Sequence, residues 1–139
     1  MTDLMDHTNT IRPRWRHYTT IRGDSPVRTF LDTLSADDAA KVVVAMRQIR
    51  DNGLQGARHL RGDLYEVRVP ISDQGIRVLF APQGKRSTVF LALVAYSKKS
   101  QQAPSRFIDL AESRLKEWNG RGAARPARRP VSTYHGATL

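Results

Sequence analysis

The chain has 139 residues, 40% of them hydrophobic, which suits one modest core with tails better than two domains. Twenty-three Lys and Arg against thirteen Asp and Glu leave a net charge of +10, which favours nucleic acid, an anionic membrane surface or an acidic protein as partner. The chain has no cysteine, so disulfides and thiolate zinc sites are excluded; its four scattered histidines lack ligand spacing, and no apolar run approaches the roughly 18 residues of a membrane span. The expectation is a cytoplasmic protein with no metal and no cofactor.

Residues 1–12 are polar and unpatterned, and read as a flexible end. Trp15–Ile21, rich in aromatic and β-branched residues, predicts a first strand. After the turn signal GDSP, Ser25 is placed to cap a helix with Pro26 at its first position, and Val27, Phe30, Leu31 and Leu34 recur at helical spacing. Ser35 and Asp38 form an S-x-x-D capping box for a second helix, whose inner face is Val42, Met46 and Ile49 and whose end is Gly53. Lys41, Arg47 and Arg50 fall on its outer face, the ordinary place for solvated charges.

GARHLRG reads as a basic loop, followed by three strands, Leu64–Val69, Gly75–Ala81 and Thr88–Ser97, separated by turn-like PISDQG and PQGKRS. Ser105 opens a last helix with Ile108, Ala111, Leu115 and Trp118 on one stripe, widened by Phe107 and Leu110. From Gly120 the composition turns to Arg, Gly, Ala and Pro without an acid, a disordered basic tail over 120–139. Short connections make the three strands an antiparallel meander. The class is α+β: one domain over 13–119, with an N-terminal strand and helical hairpin, then the meander and a C-terminal helix.

Burial sets the register of the first hairpin. With Val69 opposite Ile76, Val67 meets Val78 and Tyr65 meets Phe80 on one apolar face. The other face then sets Arg68 opposite Arg77 and Glu66 opposite Leu79; a two-residue slip keeps the faces and makes the arginines diagonal neighbours. Like charges directly opposite cost a few tenths to about 1 kcal/mol. Either Glu66 relieves Arg68, or the arginines wait for an anion. Odd-sum pairing of the third strand puts Val89, Leu91, Leu93 and Ala95 on the apolar face. Phe90, Ala92, Val94, Tyr96 and Lys98 then join the arginines. Cations clustered with an aromatic suit a phosphate of a nucleic-acid backbone. Arg61, Lys85 and Arg86, in the loop and turn, are further cations for RNA. Tyr96 serves equally as a core-edge tyrosine. His59 reads either as a loop histidine or as one that swings toward the site.

LRGDLYEVRV, GIRVLF, AYSKKSQQAP and IDLAESRLKEW, in that order and preceded by SPVRTFLDTLS, resemble the HigB branch of the RelE/ParE toxin superfamily across Trp15–Trp118. The resemblance implies a compact RelE-like fold and the toxin of a type II toxin–antitoxin pair. It implies metal-independent endoribonuclease activity on mRNA at the ribosome, silenced by a cognate antitoxin. On this resemblance Arg77 takes the place of the phosphate-stabilising strand arginine, Arg68 that of a basic residue on the preceding strand. Lys98 and Lys99 replace the basic pair ending the last strand, with Tyr96 just before. No histidine or acid matches the family's acid–base groups there, so those two roles stay open. A module that binds RNA, ribosome or antitoxin without catalysis, and a gyrase poison, are the competing expectations.

Overall fold

The computed structural model describes residues 12–71, 74–98 and 104–124. The chain order is β1 (Arg14–His17), α1 (Pro26–Asp32), α2 (Ala36–Asn52), β2 (Arg58–Arg61), β3 (Leu64–Ile71), β4 (Gln74–Gln83), β5 (Val89–Lys98) and α3 (Ser105–Ala124), with a 3₁₀ turn at Leu54–Gly56. It is a small α+β domain whose five strands form one mixed sheet in the order β1-β5-β4-β3-β2. β1 pairs parallel with β5, and every other neighbour pair is antiparallel.

Three expectations need correction here. The basic loop contains a strand, β2, paired with the start of β3 through Arg58 opposite Glu66 and His59 opposite Tyr65. The meander therefore has four strands rather than three. Arg58–Arg61 is mostly exposed, so no hydrophobic alternation marks it as a strand. The first strand is also shorter than Trp15–Ile21, because the chain leaves β5 after His17. α3 runs through Gly120 to Ala124, and residues 125–139 of the expected tail lie outside the described residues.

Local signals fix the helices. Pro26 opens α1, though the Ser25 side chain makes no capping bond. Ser35 does cap α2, its hydroxyl accepting the Asp38 backbone N–H at 3.1 Å. Gly53 ends that helix at φ 97°, where a side chain would be strained.

The sheet is covered on both sides. On one face, α1 and α2 bury Val27, Leu31, Val42, Met46 and Ile49 against Val67, Val69, Ile76, Val78 and Phe80. Trp15 ties this layer together: its indole N–H donates to the Met46 carbonyl at 2.8 Å and its ring meets Phe80 edge-on at 4.8 Å. On the other face, Ala111 of α3, with Phe107, Ile108, Leu115 and Trp118, covers Leu64, Leu79, Leu91, Leu93 and Tyr96.

The β3–β4 register is the one burial dictates: Val69 opposite Ile76, Val67 opposite Val78, Arg68 opposite Arg77. The ladder continues beyond the expected hairpin end, to Ile71 opposite Gln74. β5 departs from simple alternation. Leu79 pairs with Val94 and Phe80 with Ala92, so Leu93 is an extra residue, a β-bulge. Val94, Tyr96 and Lys98 keep the arginine face as expected, and Ala95 the hairpin face. Phe90 and Ala92 sit instead under the helical hairpin, and Leu91 and Leu93 under α3. Arg114 of α3 donates to the Leu93 carbonyl at 2.7 Å, satisfying an acceptor at the bulge.

His17, 2% exposed, packs with neither ring nitrogen hydrogen-bonded. Burial first, and the positive charge of Arg28 second, lower its pKa from 6.5 to about 4. An unfolded chain takes up this proton near pH 6.5, the folded chain only near 4, so falling pH across that window favours unfolding. The stability held above pH 6.5 and lost by pH 4 is on the order of 3 kcal/mol. Thermal melts of the wild type should drop steeply from pH 7 to pH 4.5, whereas His17→Leu should flatten that slope; equal slopes would assign the acid sensitivity elsewhere.

Candidate functional site

Three successive strands place buried charged or polar side chains on the α3 side of the sheet. β3 supplies Glu66, β4 supplies Arg77, and β5 supplies Tyr96 and Lys98. Arg77 lies directly across from Tyr96, and Gly75 across from Lys98, so all four occupy neighbouring rungs. Each is buried: Glu66 is 0%, Arg77 5% and Lys98 6% exposed, and Tyr96 is equally enclosed.

The sequence suggests Glu66 as a partner for Arg68. The structure gives it to Arg77 instead, whose Nη1 donates to Glu66 Oε2 at 3.3 Å. Arg68 turns to solvent. That divergence answers the repulsion between facing arginines: one guanidinium goes inward to a carboxylate, the other outward to high dielectric. The second carboxylate oxygen, Glu66 Oε1, has no hydrogen bond, and the Arg58 guanidinium stands 3.9 Å away.

The Tyr96 hydroxyl is also buried without a hydrogen-bond partner. Its ring stacks on Phe107 of α3, with centroids 4.0 Å apart and planes at 15°. The guanidinium of Arg106 lies over the same Phe107 at 4.7 Å. Burial, then the negative charge of Glu66, raise the Tyr96 pKa, so the phenol stays protonated. Burial, then the neighbouring Arg77 charge, lower the Lys98 pKa. Both shifts favour neutral, proton-carrying or proton-accepting forms over ions. Together the four side chains offer a fixed cation, a phenolic donor, an ammonium with a weakened hold on its proton, and a carboxylate oxygen without a hydrogen bond.

The remaining candidates separate from this group. Lys99 lies outside the described residues. Lys85 and Arg86 occupy the β4–β5 turn, past Gln83 opposite Val89, roughly 20 Å from Arg77 along the strand at about 3.3 Å per residue. Arg61 is engaged by α3, bonding Asp109 at 2.6 Å and Glu112 at 2.9 and 3.0 Å. His59 lies on β2 rather than in a loop, bonds the Gly62 carbonyl at 2.8 Å and sets its ring tilted 5.0 Å from that of Tyr65. Among the described residues no cluster of His, Asp or Glu could hold a metal ion, and no helix is long and apolar enough to cross a membrane.

Arg58, Arg106 and Phe107 are the residues that pattern reading misses. A strand assignment for RHLR would have exposed Arg58, since the hairpin register then sets it opposite Glu66. Nothing in the sequence marks Phe107 as the platform for Tyr96 rather than an ordinary stripe residue.

Two substitutions test the energetics. Tyr96→Phe removes a buried hydroxyl that bonds nothing, so urea unfolding should show unchanged stability or a gain of up to about 1 kcal/mol. Glu66→Leu leaves Arg77 buried without its countercharge and should cost about 3–5 kcal/mol. A destabilised Tyr96→Phe would mean that the hydroxyl has a bond.

No curated protein matches the chain. The sequence profile of the phage-derived protein Gp49-like family (DUF891) matches residues 29–116, from within α1 through most of α3 and including all four residues of the cluster. By that match, over more than half its length, the chain belongs to the Gp49-like family, a family associated with RelE-like toxins of toxin–antitoxin systems.

Proposed function

We propose that the chain is the toxin of a type II toxin–antitoxin pair and acts as a metal-independent endoribonuclease on ribosome-bound mRNA, as in the HigB branch of the RelE-like toxins. The carrying observation is the cluster of Glu66, Arg77, Tyr96 and Lys98, which buries charge and leaves a hydroxyl and a carboxylate oxygen without a hydrogen bond. A fold gains no stability from such an arrangement. Perturbed groups gathered at one place are a mark of a functional site.

The chemistry follows from the parts. The substrate's 2′-oxygen attacks the adjacent phosphorus, the P–O5′ bond breaks, and the products are a 2′,3′-cyclic phosphate and a 5′-hydroxyl. Arg77, held by Glu66, meets the negative charge that accumulates on the phosphoryl oxygens. Tyr96, kept neutral, donates a hydrogen bond to that phosphate or the proton to the leaving 5′-oxygen. Lys98, its pKa lowered by burial and then by Arg77, gives up its proton more readily than a free lysine and is the group placed to exchange the 2′-hydroxyl proton. Arg68, exposed beside the cluster, and Arg58 supply cations for the flanking backbone. Arg61, Lys85 and Arg86 contribute at most to outlying backbone, given their positions.

Arg77→Ala is a poor test because it strands the Glu66 carboxylate. Arg77→Lys keeps the charge and loses the planar fork. In cells, expression of the wild type should arrest growth and produce new mRNA 5′ ends by primer extension. Arg77→Lys and Tyr96→Phe should each reduce cutting by at least about tenfold with the fold intact by circular dichroism. Arrest without new 5′ ends would support the non-catalytic binding module. Undiminished cutting by folded Arg77→Lys would falsify the role given to Arg77.

A further inference from the structure

The far end of β3 has an open side. The β2–β3 ladder stops at Arg58 opposite Glu66, so among the described residues Arg68–Ile71 has ladder partners only in β4. Beside that open stretch, between it and α2, runs a groove of about 400 Å³. Its floor is apolar, formed by Ala40, Val44 and Ala45 of α2 and Val69 of β3. Val44 is 51% exposed on a helix whose other outer positions are largely polar. Lys41 and Arg68 stand on the rim against one acid, Asp37.

We propose that this groove seats an extended segment of the partner antitoxin in which apolar residues alternate with Asp or Glu. The inference rests on the toxin reading above and names the surface through which that toxin is held. An added strand along Arg68–Ile71 has side chains pointing alternately to the two faces of the sheet. Those on the α2 side cover Val44 and Val69. Those on the other side stand across from Arg68, where an acid makes an opposite-charge cross-strand pair. The chain's net charge of +10 draws in an acidic segment and speeds its association.

RNA fits this surface less well, because a phosphate backbone finds no partner on an apolar floor. A second copy of the chain fits less well too, since it brings a basic edge to a basic edge. Pro70, with no N–H to offer, further discourages pairing of β3 with itself and limits an added strand to a short one. Once seated, the segment occupies Arg68, which is the ladder neighbour of Arg77. Neutralisation then acts through the border of the cluster rather than through its buried centre.

The test uses the full chain and the purified product of the adjoining reading frame as antitoxin, with binding measured by calorimetry. Val44→Glu places a charge on the floor and should weaken binding by about thirtyfold or more. Lys41→Glu should weaken it less and mainly at low salt. Ile21→Glu, at an exposed apolar residue away from the groove, should bind as the wild type does. All three should still arrest growth when expressed alone, and the Val44→Glu arrest should no longer be rescued by the antitoxin. In the wild-type complex the Arg68 amide should exchange hydrogen more slowly than in the free chain.

Equal affinity of Val44→Glu and wild type overturns the proposal while leaving the toxin reading in place. So does a Val44→Glu variant that loses RNA binding or self-association but keeps its antitoxin. A wild type that neither arrests growth nor binds the adjoining product overturns both.

Discussion

A carboxylate with no exposure to water sets the terms for this sheet. Glu66 sits at the centre of the α3-covered face, and a charge there requires a cation within a few ångströms. Arg77 is that cation, which is why its guanidinium turns inward while the facing Arg68 turns out. Arg77 is thereby fixed in one position before any substrate arrives. Burial and then the same carboxylate, two strands away, raise the Tyr96 pKa, and burial and then Arg77 lower that of Lys98. One buried negative charge thus organises three neighbours on two strands, and α3 encloses them by stacking Phe107 on Tyr96.

The two helical layers serve different ends. The α1–α2 side is closed with aromatic and branched side chains around Trp15, with the indole N–H satisfied. The α3 side is apolar toward β1 and the turn between β4 and β5, and charged toward Lys98. Its margin is tied by polar links: Arg61 to Asp109 and Glu112, Tyr18 to Glu117 at 2.7 Å, and Arg121 to the Thr19 carbonyl at 2.7 Å. Exposed pairs of this kind contribute little individually. They orient α3 against the sheet more than they stabilise it.

Much of this was legible in the residues. Alternation in LYEVRV and IRVLF excludes a one-residue slip, and of the registers that keep apolar side chains together the hairpin adopts the one with Arg68 opposite Arg77. Capping and helical spacing located α1, α2 and α3 because each buries one face. Legibility failed where burial gives no pattern. β2 is an exposed edge strand, so its residues carry no alternation, and Arg58 stayed hidden with it. β5 is buried on both faces, so VFLALVAY reads the same whether or not a bulge interrupts it. The partner of Glu66 was ambiguous for a different reason: two arginines are within reach of it, and only the depth of each decides.

The extra residue at Leu93 gives β5 two phases. Before it, odd and even positions face one way; after it, they face the other. Residues from Val89 to Ala92 therefore answer to the packing of Trp15 and α3, while Val94 to Lys98 answer to Arg77. A substitution in the first half can be repacked without turning the second. A one-residue deletion at Leu93 would close the bulge and leave Tyr96 paired with Arg77 and Lys98 with Gly75, on the side of the sheet they now occupy. The bulge is thus the one place where this strand can shorten by a residue without turning its chemistry to the other face.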